Sequence, residues 1–181
     1  MNFPPEIRGK HTALIKVQES DAADIINLRN RPEINRFLSS QKEIALDEQI
    51  AWIRQNTTKN DGIYFKIVNN NNELKGTVSL YDVDNYKAEF GRYICTNSLN
   101  AIEAEYLILK YAFEVVKLGR ISCHVVEENT KVCAMHLRFG FTTLGTEFSK
   151  TLGRNFVVQE MDRNSFLKTD FTTILSLINK F

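Results

Sequence analysis

The chain has 181 residues, 43% of them hydrophobic and 25% charged, a length that suits one domain and a balance too apolar for a disordered chain. Its 23 basic and 22 acidic residues nearly cancel, and no basic stripe is interleaved with aromatics, which argues against a nucleic-acid partner. The opening MNFPPEIRGK has no apolar core like that of a secretion signal, and no apolar run approaches the ~18 residues of a membrane span, so a cytoplasmic protein with no membrane partner is expected.

In chain order, Leu14, Ile15 and Val17 read as a short strand, and Glu19-Ser20-Asp21 supplies capping residues for a helix over about Ala22 to Asn30. Pro32 interrupts it, and Ile34, Phe37 and Leu38 suggest a further helical turn. Asp47 is expected to cap a third helix through Ile50 and Ile53. The pattern then changes to strands: Ile63 to Val68, an Asn-rich turn, Gly76 to Leu80 as a hairpin partner, and Ala88 to Thr96. Positions 104, 108, 111, 112, 115 and 118 share one face of a helix over Ile102 to Leu118, which Gly119 is expected to stop.

Ile121 to Val126 follows as a strand, so strand, helix and strand here imply a right-handed crossover and one parallel pair. Another helix fits Lys131 to Phe139, and Thr142 to Thr151 with Asn155 to Asp162 reads as a closing antiparallel pair. Asp170 is placed to cap a tail helix carrying Phe171, Ile174, Leu175, Ile178 and Phe181, which either docks on the domain or joins a homodimer contact. The elements imply an α+β fold with a mixed, mostly antiparallel sheet, as one domain over 1–167 followed by the helix of 168–181. Cys95, Cys123 and Cys133 are odd in number and embedded in apolar stretches, so buried thiols are expected and no metal site.

Three stretches, AEFGRYICTN (88–97), NAIEAEYLILKYAFE (100–114) and ENTKVCAMHLRFGF (128–141), together resemble the GNAT superfamily of coenzyme A-dependent N-acyltransferases. The resemblance covers roughly His11 to Leu167. LRNRPEINRFL followed by EQIAWIRQN is similar to the branch that holds sugar-nucleotide amine acetyltransferases of the pseudaminic-acid pathway and ribosomal-protein N-terminal acetyltransferases. The resemblance implies helices on both faces of the sheet, a splayed central strand pair, and acetyl-CoA as co-substrate. A splayed strand leaves backbone groups unpaired, and an amide-bearing pantetheine arm can pair with them as an added strand would. Tyr93, Ile94, Cys95 and Thr96 are the expected edge. The helix start at Asn100, Ala101, Ile102, Glu103, Ala104 and Glu105 is the expected pyrophosphate cradle, since unpaired N–H groups and the dipole favour an anion.

The resemblance further assigns Asn129 to cofactor binding, His136 to the general acid for the thiolate, and Glu89 to the general base acting through water. His136 also lies on the apolar face of its helix, where a core histidine would sit, and Glu89 could instead pair with Arg92 or Lys87. Arg29, Asn30, Trp52 and Tyr81 come from the segments that cover the acceptor side in such proteins. Glu103 and Glu105 stand where relatives carry glycines, and a carboxylate about 5 Å from a phosphate charge costs on the order of 3 kcal/mol at an effective dielectric of 20. Three functions follow: acetyl transfer to a small-molecule amine such as a nucleotide-linked amino sugar, acetyl transfer to a protein N-terminus, or a GNAT-like binding domain that has lost normal coenzyme A binding.

Overall fold

Alternating apolar positions build a sheet whose two faces are buried under different helices. In a computed structural model, which describes residues 3–59 and 61–180, the strands are β1 (Glu6–Arg8), β2 (Thr12–Lys16), β3 (Ile63–Asn69), β4 (Leu74–Tyr81), β5 (Lys87–Cys95), β6 (Arg120–Val126), β7 (Thr142–Ser149) and β8 (Arg154–Asp162). They form one eight-stranded sheet in the order β1-β2-β3-β4-β5-β6-β8-β7. Every pairing is antiparallel except β5 with β6, as the strand-helix-strand order requires.

The helices are α1 (Ala22–Arg29), α2 (Pro32–Asn35), α3 (Leu46–Thr58), α4 (Ser98–Lys110), α5 (Thr130–Phe139), α6 (Arg163–Lys168) and α7 (Thr172–Lys180). The larger core joins Phe65, Val78, Leu80 and Phe90 of the sheet to Ile108 and Leu109 of α4, Phe139 of α5, Phe166 of α6, and Ile174 and Ile178 of α7. On the opposite face a smaller cluster joins Val17 and Tyr64 to Ala22 and Ile25 of α1 and Ile53 of α3. Helices therefore cover both faces, and the fold is α+β with a mixed, mostly antiparallel sheet. Phe181 lies outside the described residues.

Several expected boundaries move. β1 and α6 were not read from the sequence, each being too short for a periodic pattern. Asp47 does not cap α3: the cap is Ala45, whose N–H reaches Glu48 Oε2 at 3.4 Å, and Asp47 lies in the first turn. The helix expected over Ile102 to Leu118 begins at Ser98 with Asn97 as its cap, and it passes at Lys110 into a π-helical turn over Tyr111–Val115. The wider turn breaks the 3.6-residue period, so Val115, predicted to be inside, is 66% exposed while Phe113 is fully buried. Lys117, with φ 62°, makes the left-handed turn expected near Gly119.

One contact ties the N-terminal hairpin to α4. The buried Glu103 carboxylate accepts the backbone N–H groups of Lys10 (2.5 Å) and His11 (2.9 Å), and a Cβ on Gly9 would fall 2.3 Å from Glu103 Oε1. Asn100 adds to it, donating from Nδ2 to Thr12 Oγ1 (2.9 Å) and the His11 carbonyl (3.2 Å). Removing Glu103 leaves two backbone donors without their acceptor. Glu103→Ala should cost roughly 3 kcal/mol in urea unfolding and speed hydrogen exchange at Lys10 and His11, and an unchanged midpoint would refute this role.

Candidate active site

The site begins as a backbone irregularity. Thr77 faces Ile94 and Ser79 faces Gly91, leaving Val78 opposite two residues, Arg92 and Tyr93. Arg92 adopts φ 50° in this bulge, and Thr77 Oγ1 donates to its carbonyl at 2.9 Å. A bulge bends its strand and re-aims side chains. The β5–β6 rungs run only from Lys87 with Arg120 to Glu89 with Ser122, and from Phe90 onward β5 has no β6 partner. A cleft of about 480 Å³ opens where the two strands separate.

The cleft reaches through the sheet. From the α4–α5 face it is lined by Tyr93, Cys123, Val132 and His136, and from the α1–α3 face by Arg29, Tyr81, Arg92 and His124. Asn129, which precedes α5, lies at its wall. Gly140 closes α5 in the left-handed conformation, φ 100°, which turns the chain into β7.

His136 sits in a box of Phe90, Phe141 and Tyr93, with ring centroids 5.2–6.5 Å away. Its Nδ1 lies 3.0 Å from Gln159 Oε1 and 3.3 Å from Cys123 Sγ. Its Nε2 has no hydrogen-bond partner and lies 3.9 Å from Glu105 Oε2, whose two carboxylate oxygens are likewise unpartnered. Burial lowers the imidazole to about 4 and raises the Glu105 carboxyl well above its ordinary range. Burial thus favours the uncharged form of each group. His136 lies in the core and also lines the cleft.

The start of α4 lies before the residues 100–105 expected to form it. Ser98, Leu99 and Asn100 carry the first-turn N–H groups, and the Asn97 side chain already accepts from Leu99 (3.0 Å) and Asn100 (3.1 Å). The Ala101 N–H is bonded to the Asn97 carbonyl. Glu103 and Glu105, expected to oppose a phosphate, both turn into the fold, 2% and 0% exposed, so neither presents a carboxylate at the helix start. Ala104 is core, Ile102 packs against it, and the Ala101 carbonyl accepts from the Tyr93 hydroxyl at 2.7 Å. Along the edge strand Ile94 is buried, burial pushes the Cys95 thiol up to about 11, and the Thr96 N–H is bonded to the Lys75 carbonyl.

On the other face Arg29 and Tyr81 reach the cleft, but Asn30 is exposed and does not line it. Trp52 stands behind, packed edge-on against Tyr64, with the Arg92 guanidinium 4.8 Å above its ring and 4.2 Å from the ring of Tyr81. Among the described residues neither Arg29 nor Arg92 forms an ion pair, and Arg29 Nε is buried without a partner. Glu89 does not pair with Arg92 or Lys87. It accepts from Ser122 Oγ at 2.8 Å and meets His124 Nδ1 in a short contact.

The sequence profile of the acetyltransferase (GNAT) domain matches residues 12–142. The chain belongs to the GNAT acetyltransferase family. It is 27% identical over 120 residues to acetyltransferase PseH of Campylobacter jejuni, covering 65% of this chain and 74% of that one. Its fold matches apo FdhC, a nucleotide-linked sugar GNAT, with a TM-score of 0.79 and 22% identity over 98% of this chain and 99% of that one. It also matches spermidine N-acetyltransferase from Vibrio cholerae in complex with CoA and spermine, with a TM-score of 0.77 and 21% identity over 87% and 98%.

Within this GNAT domain, the sequence does not point to two cleft residues, Arg92 and His124, or to Gln159, a buried residue outside the cleft lining. Arg92 depends on a bulge that no residue pattern announces. His124 reads as an ordinary strand position, and Gln159, the partner of His136, comes from β8, remote in sequence.

Two pH effects of opposite sign follow for the buried pair. His136 is neutral in the native state and binds a proton from 6.5 downward when unfolded, so its contribution is present above 6.5 and falls away as pH drops toward about 4, by roughly 3 kcal/mol. In His136→Phe that acid-side loss should shrink, as read by urea unfolding across this range. Burial raises the Glu105 carboxyl above its ordinary range in the fold, so the unfolded chain gives up this proton first and stability falls as pH rises above 4.5. Glu105→Gln should therefore be more stable than wild type at pH 7, with the difference vanishing below 4.5, and equal pH dependence in the two proteins would show Glu105 to be ionised in the fold.

Proposed function

We propose that this GNAT protein transfers the acetyl group of acetyl-CoA to the primary amine of a nucleotide-linked amino sugar. The observation that carries the acceptor class is the pair of guanidiniums, Arg29 and Arg92, turned to one side of the cleft without carboxylate partners and flanked by Tyr81 and Trp52. Unpaired, partly buried cations beside aromatic faces suit an acceptor that brings phosphate and a ring. They repel a polyamine. The likeness to PseH and to FdhC points the same way.

Acetyl-CoA would supply the activated thioester, and the residues of the cleft fit it. The β5 edge beyond Glu89 has no β6 partner, which suits the pantetheine arm, and the Ser98 N–H at the start of α4 suits the pyrophosphate, with both nearby glutamates turned inward. Asn129 borders the same channel. His136 and Glu105 hold a proton on the α5 side of the cleft, where the departing thiolate needs one.

The test has two arms. A site filled to about 100 times its dissociation constant adds roughly 2.7 kcal/mol, so acetyl-CoA should raise the melting temperature, and no shift at millimolar ligand overturns the acetyltransferase reading. Transfer to UDP-glucosamine should then exceed transfer to free glucosamine, spermidine or an N-terminal peptide by about tenfold or more in kcat/KM, since each tenfold step is only 1.4 kcal/mol of recognition. A peptide or a free amine acetylated as well as the nucleotide sugar would overturn the acceptor class alone.

A further inference from the structure

The sequence places the base role on Glu89, yet Glu89 does not line the cleft. It stands on the last rung of the β5–β6 pairing, opposite Ser122, with its side chain 15% exposed and both carboxylate oxygens engaged, one by Ser122 Oγ and the other by His124 Nδ1. His124, two residues beyond Ser122 on the same face of β6, lines the cleft and is 43% exposed. A carboxylate at Nδ1 retains the proton there and leaves the lone pair on Nε2. Nε2 is not sequestered: its nearest carboxylate oxygen, Glu147 Oε2 on β7, is 3.9 Å away, beyond hydrogen-bond range.

We propose that His124, oriented by Glu89, is the group that takes the proton from the acceptor's ammonium. This rests on the acetyltransferase reading above. The ammonium gives one proton to His124 Nε2, the freed amine attacks the thioester carbonyl to form the C–N bond of a tetrahedral adduct, and collapse of that adduct breaks the C–S bond, the amine's second proton balancing the one that the thiolate takes. The thiolate takes one proton, and the net proton released passes from His124 to water.

The surroundings separate this role from the alternatives. Ser122 Oγ donates to Glu89 and so is engaged away from the imidazole, and Cys123 points to the opposite face, where burial drives its thiol well up. His136 faces that side too. The titratable and charged groups around His124 are Glu89 from β5, Glu147 from β7, Tyr81 from β4, and Arg92 and Arg29 across the cleft, with Arg120 and Glu160 paired to each other at 3.4 Å on the neighbouring rung. Tyr81, pushed up to about 12 chiefly by burial and then by the Glu89 charge, stays protonated and does not compete. The cleft thus offers a proton acceptor on the α1–α3 side and a proton donor on the α5 side.

The experiment compares wild type, His124→Gln and Glu89→Gln with UDP-glucosamine and spermidine as acceptors from about pH 6 to about pH 9, together with ¹⁵N-imidazole NMR of the free proteins. His124→Gln should lose on the order of 10²- to 10⁴-fold in kcat near neutrality, the loss shrinking at the alkaline end as the amine deprotonates unaided, with KM for acetyl-CoA changed by less than about threefold. In the NMR arm His124 should carry its proton on Nδ1, and Glu89→Gln should shift it toward Nε2. Wild-type kcat in His124→Gln, or a loss equal at every pH and accompanied by weakened acetyl-CoA binding, overturns the proposal. A wild type that acetylates neither amine counts against the acceptor class and not the dyad, which then falls only if NMR finds the Nε2–H form.

Discussion

Everything in the cleft depends on the end of backbone hydrogen bonding between β5 and β6 after Glu89 and Ser122. Had the rungs continued, the sheet would be closed, and its two faces would be separate surfaces under separate helices. Because they stop, side chains from both faces meet at one opening. The bulge at Arg92 belongs to the same device, since the extra residue bends β5 from its straight course and delivers a cation to the α1–α3 side. Unpaired peptide groups at a buried strand edge are costly unless something satisfies them, which is why such an edge suits a ligand rich in amides.

The two glutamates of α4 show how one residue type is accommodated in two physical states. Glu103 is buried as an acceptor for two backbone donors of the N-terminal hairpin, so its burial is offset by hydrogen bonds and it acts as a structural clasp. Glu105 has no such donors, and burial therefore favours its protonated form beside the equally unpartnered His136 Nε2. A half-satisfied buried pair weakens the fold.

Polar groups on the opposite face follow another logic. Glu89 is engaged by Ser122 and His124, and of the three it is His124 that lines the cleft. Arg92 is held by the faces of Trp52 and Tyr81 and by Ser79, contacts that position a guanidinium without neutralising it. Positive charge, an imidazole and aromatic surface are thus gathered on the α1–α3 side of the cleft, while the α5 side is largely apolar around His136.

Read alone, the sequence determined the element order, the single parallel pair and the family resemblance, because hydrophobic periodicity and short motifs such as AEFGRYICTN are local properties of the chain. It also brought forward His136, Tyr93, Arg29, Tyr81 and Asn129, all of which line the cleft. It could not say where α4 begins, since Asn97 acts as a cap only through its own backbone geometry, nor that Glu103 and Glu105 point inward, which depends on the hairpin of residues 6–16 and on α5 packing against them. Nor could it pair Glu89 with His124 in place of Arg92. Strand alternation places residues on a face, but which neighbours share that face is set by the order β4-β5-β6-β8, and sheet order is decided by long-range packing of helices on both sides, a property of the folded chain alone.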